Sequence, residues 1–543
     1  LNETAGIFGF AEFVTAFALL ILVYNATDPL YRFRISVAPL PVFRITFWSI
    51  TLIGLGSLGS DLWFAQRWPA PALGVSQAVI QAILGATFLS VALLWLWFAF
   101  VSPPKFGKSN YLRFSGSLYG VIVKGSDKEL SQVAGELIRS AAPLIKFSSA
   151  AARREATPPA VSQHAYDILL LLANRKMCRN IVHHSPTTAI AIMREASIAN
   201  IAGLPLSQFA KNITSEALLY SDSPLYHENN LHTSGLLGYV RPFKNALYGD
   251  YKLVETLARQ SSSPLDIGWT LSSSLTVTQL EAYLDAVLVT FSNFVELKSC
   301  NEHSISLYRA LDVARHCAIG IRDGANEDMP PDISPRRKLG LAARFSAKMV
   351  EILQDSETLP TPPTVRPKGV KPRGDNSIYA HIAELMYQLI FLASKVKSSP
   401  EEAWRIQQNA VWSQIFSYRD NDAAWRAISS RLRRRIYDHV VELETLPNYS
   451  SSKILGMCLN VMDLSETYSG GDRGYAALQK VVMRWTKRHY MTLAEKHHLV
   501  AADCLSGGIT FDAAERRLVK TYFLGLGLEP ARSYLNLDPA RAT

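Results

Sequence analysis

The chain has 543 residues, 48% of them hydrophobic and only 19% charged, which excludes a wholly disordered chain. Its 30 Gly and 27 Pro are ordinary counts and exclude collagen-like or low-complexity material. The 56 basic against 46 acidic side chains leave a net charge of +10, and the length allows about two to four domains.

Three apolar stretches crowd the first hundred residues, at about 6–24, 45–64 and 75–100. Each has roughly the 20 residues that a helix needs to cross hydrocarbon. Backbone groups in lipid must be satisfied within the segment, so three membrane-spanning helices are expected over 1–101. Orientation follows the basic residues of the short loops. Arg32, Arg34 and Arg44 lie between the first two spans, and Lys105, Lys108 and Arg113 follow the third, against Arg67 alone on the other side. This places the N-terminus outside and the rest of the chain in the cytoplasm of a bacterial-type inner membrane. Trp48, Trp95 and Trp97 then mark the inner interface, and Trp63 and Trp68 the outer one.

Two features inside the spans are candidates for function. Glu12 places an ionisable group in the first apolar run, where a charge is costly and normally faces a partner or water. Gly56 and Ser60 form a small-xxx-small pair that permits close helix approach, within one chain or between copies. The few polar residues in the spans suit an anchor better than a wide aqueous pore.

Residues 1–101 contain four basic and four acidic side chains, so the whole net charge belongs to the remainder. Such a basic surface suits anionic headgroups, nucleic acid or acidic protein. The Gly107-Lys108-Ser109 triplet is no P-loop, because Ser102 stands where that motif needs glycine. Tyr111–Val123, rich in β-formers around Gly116 and Gly120, is expected to make one short β-hairpin. Helical patterns follow from Asp127 to about Leu144, 162–179, 186–200 and 304–321, with a connector at 148–160. Thr278-Gln-Leu-Glu281 reads as a capping box. A proline-rich basic stretch at 356–376 is the expected linker between a helical domain at 102–355 and a basic helical subdomain at 377–543. In the latter, Ser399-Pro-Glu-Glu402 opens a helix. Trp425, Ile428, Leu432, Ile436, Val440 and Leu443 make an apolar stripe, and Asp512-Ala-Ala-Glu515 is expected to cap a last helix.

The predicted fold is therefore predominantly α. No motif of known chemistry stands out, so no catalytic residue, cofactor or metal is expected. Cys178 with His183-His184, and His497-His498 with Asp503 and Cys504, lack the second close ligand pair of a zinc site. The five cysteines show no framework spacing and are expected to be free thiols. The polar, aromatic-rich stretch 221–251 is expected to be a long loop, with Tyr226, His227, Glu228, His232, Tyr239 and Arg241 as an interaction surface. Arg431, Arg433, Arg434 and Arg435, with Arg484, Lys487 and Arg488, are candidate anion-binding groups.

The expected function is a membrane-anchored, oligomeric scaffold or sensor that contacts lipid and an unidentified cytoplasmic protein. An oligomeric effector or channel gated by its cytoplasmic part, in stress or anti-phage defence, is the alternative. A membrane-tethered nucleic-acid binder is the third reading, and an enzyme is not favoured.

Overall fold

The computed structural model describes residues 8–26, 28–66, 76–228, 241–300, 302–318, 321, 330–355, 376–396, 398–416, 422–464, 473–522 and 530–539. The described chain is predominantly helical, with one small sheet. It divides between Pro224 and Leu225 into two compact units.

The first unit opens with α1 (Phe10–Ala26), the short α2 (Pro29–Ser36), α3 (Val42–Ala65) and α4 (Gln77–Leu96). A π-turn, Trp97–Val101, extends α4. The stretches Val42–Ala65 and Gln77–Val101 are long and apolar enough to cross a membrane. Only 22% and 11% of their apolar windows are buried, so they are not the core helices of a soluble body. The first apolar run forms the 17-residue α1, shorter than both. Tight packing joins α1 to α3 at Gly54, where a Cβ would come within 2.8 Å of the Phe13 ring.

The rest of this unit is a helical body: α5 (Tyr111–Lys124), α6 (Asp127–Glu136), α7 (Ala141–Ala152), α8 (Ala160–Leu172), α9 (Arg175–His184), α10 (Pro186–Ala199) and α11 (Ser207–Leu219). Here α5 replaces the expected hairpin. Phe114, Leu118 and Ile122, spaced four apart, are all buried. Their burial, at roughly 1.5–3 kcal/mol each, outweighs the roughly 0.5–1 kcal/mol that each helical glycine costs. Gly116 and Gly120 are both exposed. A capping box formed by Ser126 and Glu129 starts α6. The Asn174 side chain accepts the amides of Lys176 and Met177, so it splits the expected 162–179 helix into α8 and α9.

The second unit holds α12 (Pro224–His227), α13 (Pro242–Tyr248), α14 (Tyr251–Gln260), α15 (Trp269–Ser274), α16 (Val277–Glu296), α17 (Ile305–His316) and α18 (Pro335–Gln354). It continues with α19 (Ile378–Ser394), α20 (Pro400–Trp404), a π-helical stretch Arg405–Trp412, α21 (Ser413–Ile415), α22 (Ala423–Thr445), α23 (Tyr449–Met462), α24 (Arg473–Lys496) and α25 (His498–Asp503). α19 is apolar nearly all round because α17, α18, α22 and α23 enclose it. The stripe from Trp425 to Leu443 is buried as its spacing requires. The capping box of α16 is Thr276 with Gln279, two residues before the expected one.

The last helix expected from Asp512 is instead a three-stranded antiparallel sheet in the order β1 (Ile509–Asp512), β2 (Arg517–Thr521), β3 (Arg532–Asn536). Ile509 pairs with Lys520 and Leu518 with Leu535. Asp512 Oδ1 accepts the Glu515 amide at 3.2 Å, and Arg516 adopts φ +47°. An Asp side chain makes this bond in a tight turn as readily as at a helix start. The alternation of Leu518 and Lys520 inward then decides for strand.

Candidate functional site

Pro103 and Pro104 end α4 with two residues that lack an amide N–H. The Ala99 carbonyl therefore has no helical donor four or five residues on. Arg34, projecting from α2, supplies one: its Nη1 donates to Ala99 O at 2.8 Å. The same guanidinium forms an ion pair with Glu136 at the end of α6, both side chains only 12% exposed. Its Nε is buried with no hydrogen-bond partner among the described residues. One side chain thus joins α2, the π-turn of α4 and the helical body.

The surrounding contacts reinforce that junction. Tyr31 packs on Phe100 with ring centroids 4.5 Å apart, and Arg34 lies 5.4 Å over the Tyr31 ring. Asn110 Nδ2 donates to Val37 O at 2.7 Å and to Lys105 O at 3.0 Å, while its Oδ1 accepts the Gly107 amide. Arg113 bonds the Pro39 carbonyl, and Gln132 bonds Asp28. Buried Phe33 meets Phe114 edge-on. Chemically this is a stapled junction: α2 is held on one side by the last apolar helix and on the other by α5 and α6.

The expected residues in the apolar segment sit elsewhere. Glu12 is in the first turn of α1 and is exposed, its carboxylate accepting the Gly9 amide at 2.9 Å. Asp61 accepts the Phe10 amide at 2.8 Å and a bond from Gln81 at 3.1 Å. Both carboxylates serve the helix N-terminus, where the macrodipole favours them. Gly56 faces Leu84 of α4, to which a Cβ would come within 3.2 Å, and Ser60 is buried, donating to Ser57 O.

In the stretch 221–251, His232 and Tyr239 lie outside the described residues. The described flanks are helical at α12 and α13 rather than loop. Glu228 accepts the amides of Phe243 and Lys244 at 2.7 and 2.8 Å, and Lys244 Nζ donates to Glu228 O at 3.0 Å. Burial pushes the Glu228 carboxyl up and the Lys244 amine down. Arg241 adds its charge beside both. Tyr226 is half-buried, its phenol pushed up to about 12 by burial and by Asp332. His227 ends α12. Glu228 and Arg241 thus flank the start of α13 as part of its scaffold, while Tyr226 lies beside Asp332.

The basic run of α22 is largely engaged. Arg431 Nη1 donates to Ala427 O at 2.8 Å. Arg434 pairs with Asp438 at 3.3 Å, and Arg435 pairs with Glu384 of α19 while lying 4.6 Å over Tyr387. Arg433 is half-buried beside them. On α24, Lys487 uses its carbonyl to accept the Asp538 amide, and Arg484 and Arg488 are exposed with no ion pair among the described residues. The other candidates are placed in the scaffold. His183 stacks on Tyr220 at 3.9 Å, and burial holds the thiols of Cys317 and Cys458 up at about 12.

A second polar cluster was not foreseen. Lys520 is 2% exposed on β2. Its amine donates to Asn460 O and lies 4.5 and 4.8 Å over the rings of Trp404 and Tyr522. Burial lowers its pKa to about 8, against the charge of Asp463. Asp463 has φ +65° and accepts bonds from Tyr522 and from Ser533 at 2.8 Å. Burial raises the Asp463 carboxyl, but these bonds and the Leu464 amide outweigh it and hold it low. The only signal in the sequence was the strand-like alternation of 517–522. Comparison with protein-family models, with curated proteins and with solved structures yields no match for this chain.

Proposed function

We propose that the chain is an integral-membrane scaffold or sensor whose cytoplasmic helical part binds a partner and whose membrane helices assemble with further copies. α1, α3 and α4 are its three spans, with the N-terminus outside. The outward faces of α3 and α4, carrying Leu52, Leu55, Leu58, Ile83, Leu89 and Leu93, are apolar beyond what a water-facing surface normally tolerates. α1 rises about 25 Å at 1.5 Å per residue, close to the hydrocarbon thickness of about 30 Å.

The observation that carries the sensing part is Arg34. Its bonds to Ala99 O and Glu136 let a change in the helical body pull directly on the end of α4. Coupling needs such a physical link between an element on each side.

An impermeant maleimide on spheroplasts tests the topology. Ser76 and Lys108 are both exposed, four of the five native cysteines are buried, and Cys317 is half-buried. Ser76→Cys is expected to label from outside and Lys108→Cys only after lysis. Labelling of Lys108→Cys in intact spheroplasts would reject the orientation. For the scaffold, light scattering in detergent should give an oligomer. Ion flux in liposomes that is lost in Glu12→Gln would replace this reading with a gated channel.

A further inference from the structure

Below the Arg34 junction, α2, α5 and α6 enclose a cleft of about 470 Å³, within the size range of small-molecule sites. Its wall carries two cations, Arg32 on α2 and Lys124 at the end of α5. Ser36 and Ser117 add hydroxyls. The one carboxylate of the lining, Glu129, is held in the capping box of α6, where its Oε2 accepts the Ser126 amide at 2.8 Å and the Ser126 hydroxyl at 3.1 Å. A third cation stands at the rim, where Lys176 Nζ donates to the carbonyl of cleft-lining Gly125 at 3.0 Å beside Asp127. The α5 face next to the cleft exposes Tyr119 at 59% and Val123 at 55%, so an apolar lip borders a basic pocket.

We infer that this cleft binds a phosphate ester: a compact anion held by Arg32 and Lys124 with hydroxyls at Ser36 and Ser117. A guanidinium and an ammonium on facing elements are the donors that recognise phosphate. The lip gives the remainder of the ligand an apolar surface, as the acyl chains of a phospholipid would require. Two sources share the chemistry, the headgroup of an anionic phospholipid and a free phosphate ester. The lipid source rests on the membrane reading; the cleft itself does not. The site also bears on the junction, because α2 carries Arg32 into the cleft and Arg34 to the π-turn. An occupant therefore braces the helix that grips the end of α4.

Gly120 gives a test, since it lines the cleft and a Cβ there meets nothing within 4 Å, so Gly120→Leu adds a side chain to the cleft wall. Full-length protein in maltoside micelles is titrated with dioctanoyl phosphatidylglycerol, dioctanoyl phosphatidylcholine and sn-glycerol 3-phosphate. Thermal unfolding checks that each variant is folded. Saturable binding of the anionic lipid is expected, with the zwitterionic lipid at least about tenfold weaker. The Arg32→Gln/Lys124→Gln pair should weaken binding about tenfold or more, Gly120→Leu should abolish it, and Lys108→Gln should change nothing. Glycerol phosphate binding as tightly as the lipid would assign the site to a soluble ester. Equal binding by wild type, the double variant and Gly120→Leu would overturn the site. Because the titration is done in micelles, its failure is separate from any failure of the maleimide topology.

Discussion

The two units bury a cation in opposite ways. In the first, Arg34 is matched by a carboxylate and by the carbonyl that two prolines leave without a donor. In the second, Lys520 has one carbonyl and two aromatic faces, and its nearest opposing charge, Asp463, is spent on Tyr522, Ser533 and Leu464. A paired charge is locked: removing either partner strands the other. A caged charge is poised: it can lose its proton and leave nothing unpaired. The first arrangement suits a rigid link, the second a position that tolerates change.

The sharpest way to break that comparison is at Arg34. Arg34→Ala leaves Glu136 and the Ala99 carbonyl buried without a partner, a loss of about 3–5 kcal/mol for a broken buried pair. Thermal and denaturant unfolding in detergent would read it. Arg34→Met with Glu136→Met removes both charges, and its loss should fall well below the sum of the single losses, since matched apolar replacement of a buried pair is often near neutral. Additive losses would show that the two side chains are not a locked pair.

Lys520 predicts the reverse behaviour with pH. Its amine ionises at about 8 in the folded chain against 10.5 ordinarily. Below about pH 8 both states carry the proton, and the folded state bears the full cost of burying it. Between about 8 and 10.5 the unfolded chain binds a proton that the folded chain does not, so stability rises with pH. Lys520→Met should remove that part of the rise, on the order of 3 kcal/mol across the window, and should be at least as stable as wild type at pH 7. An unchanged difference between variant and wild type from pH 7 to 10 would mean that the amine stays charged in its cage.

These two sites also mark the limit of what could be read from the chain. Helices with periodic apolar stripes, such as that from Trp425 to Leu443, follow from local spacing, and so does the start at Ser399. Arg34 was legible only as one positive charge in a loop count, because Glu136 lies 102 residues away and the need for a donor arises at Pro103 and Pro104. The expected hairpin at Tyr111 and the expected helix at Asp512 failed for one reason. Glycines and an Asp cap are shared between helix and turn chemistry, and long-range burial chose between them. Of the stretch 221–251, the aromatic character was legible, but Phe243 and Tyr248 turned out to be core.

A third kind of charge completes the comparison. Arg434 and Asp438 sit one turn apart on α22 at 3.3 Å, with side chains 35% and 55% exposed. Water solvates both ions when the pair breaks, and salt screens their attraction. Arg434→Ala should therefore cost about 0.5 kcal/mol or less, with the loss shrinking further in 0.5 M salt. The same substitution sharpens the reading of the whole basic run. If Arg434 held a bound polyanion, removing it would flatten the salt dependence of nucleic-acid binding by about one unit of log–log slope. An intrahelical pair leaves that slope where it was, so stability and binding measured on one variant separate a solvated face from an anion-tracking one.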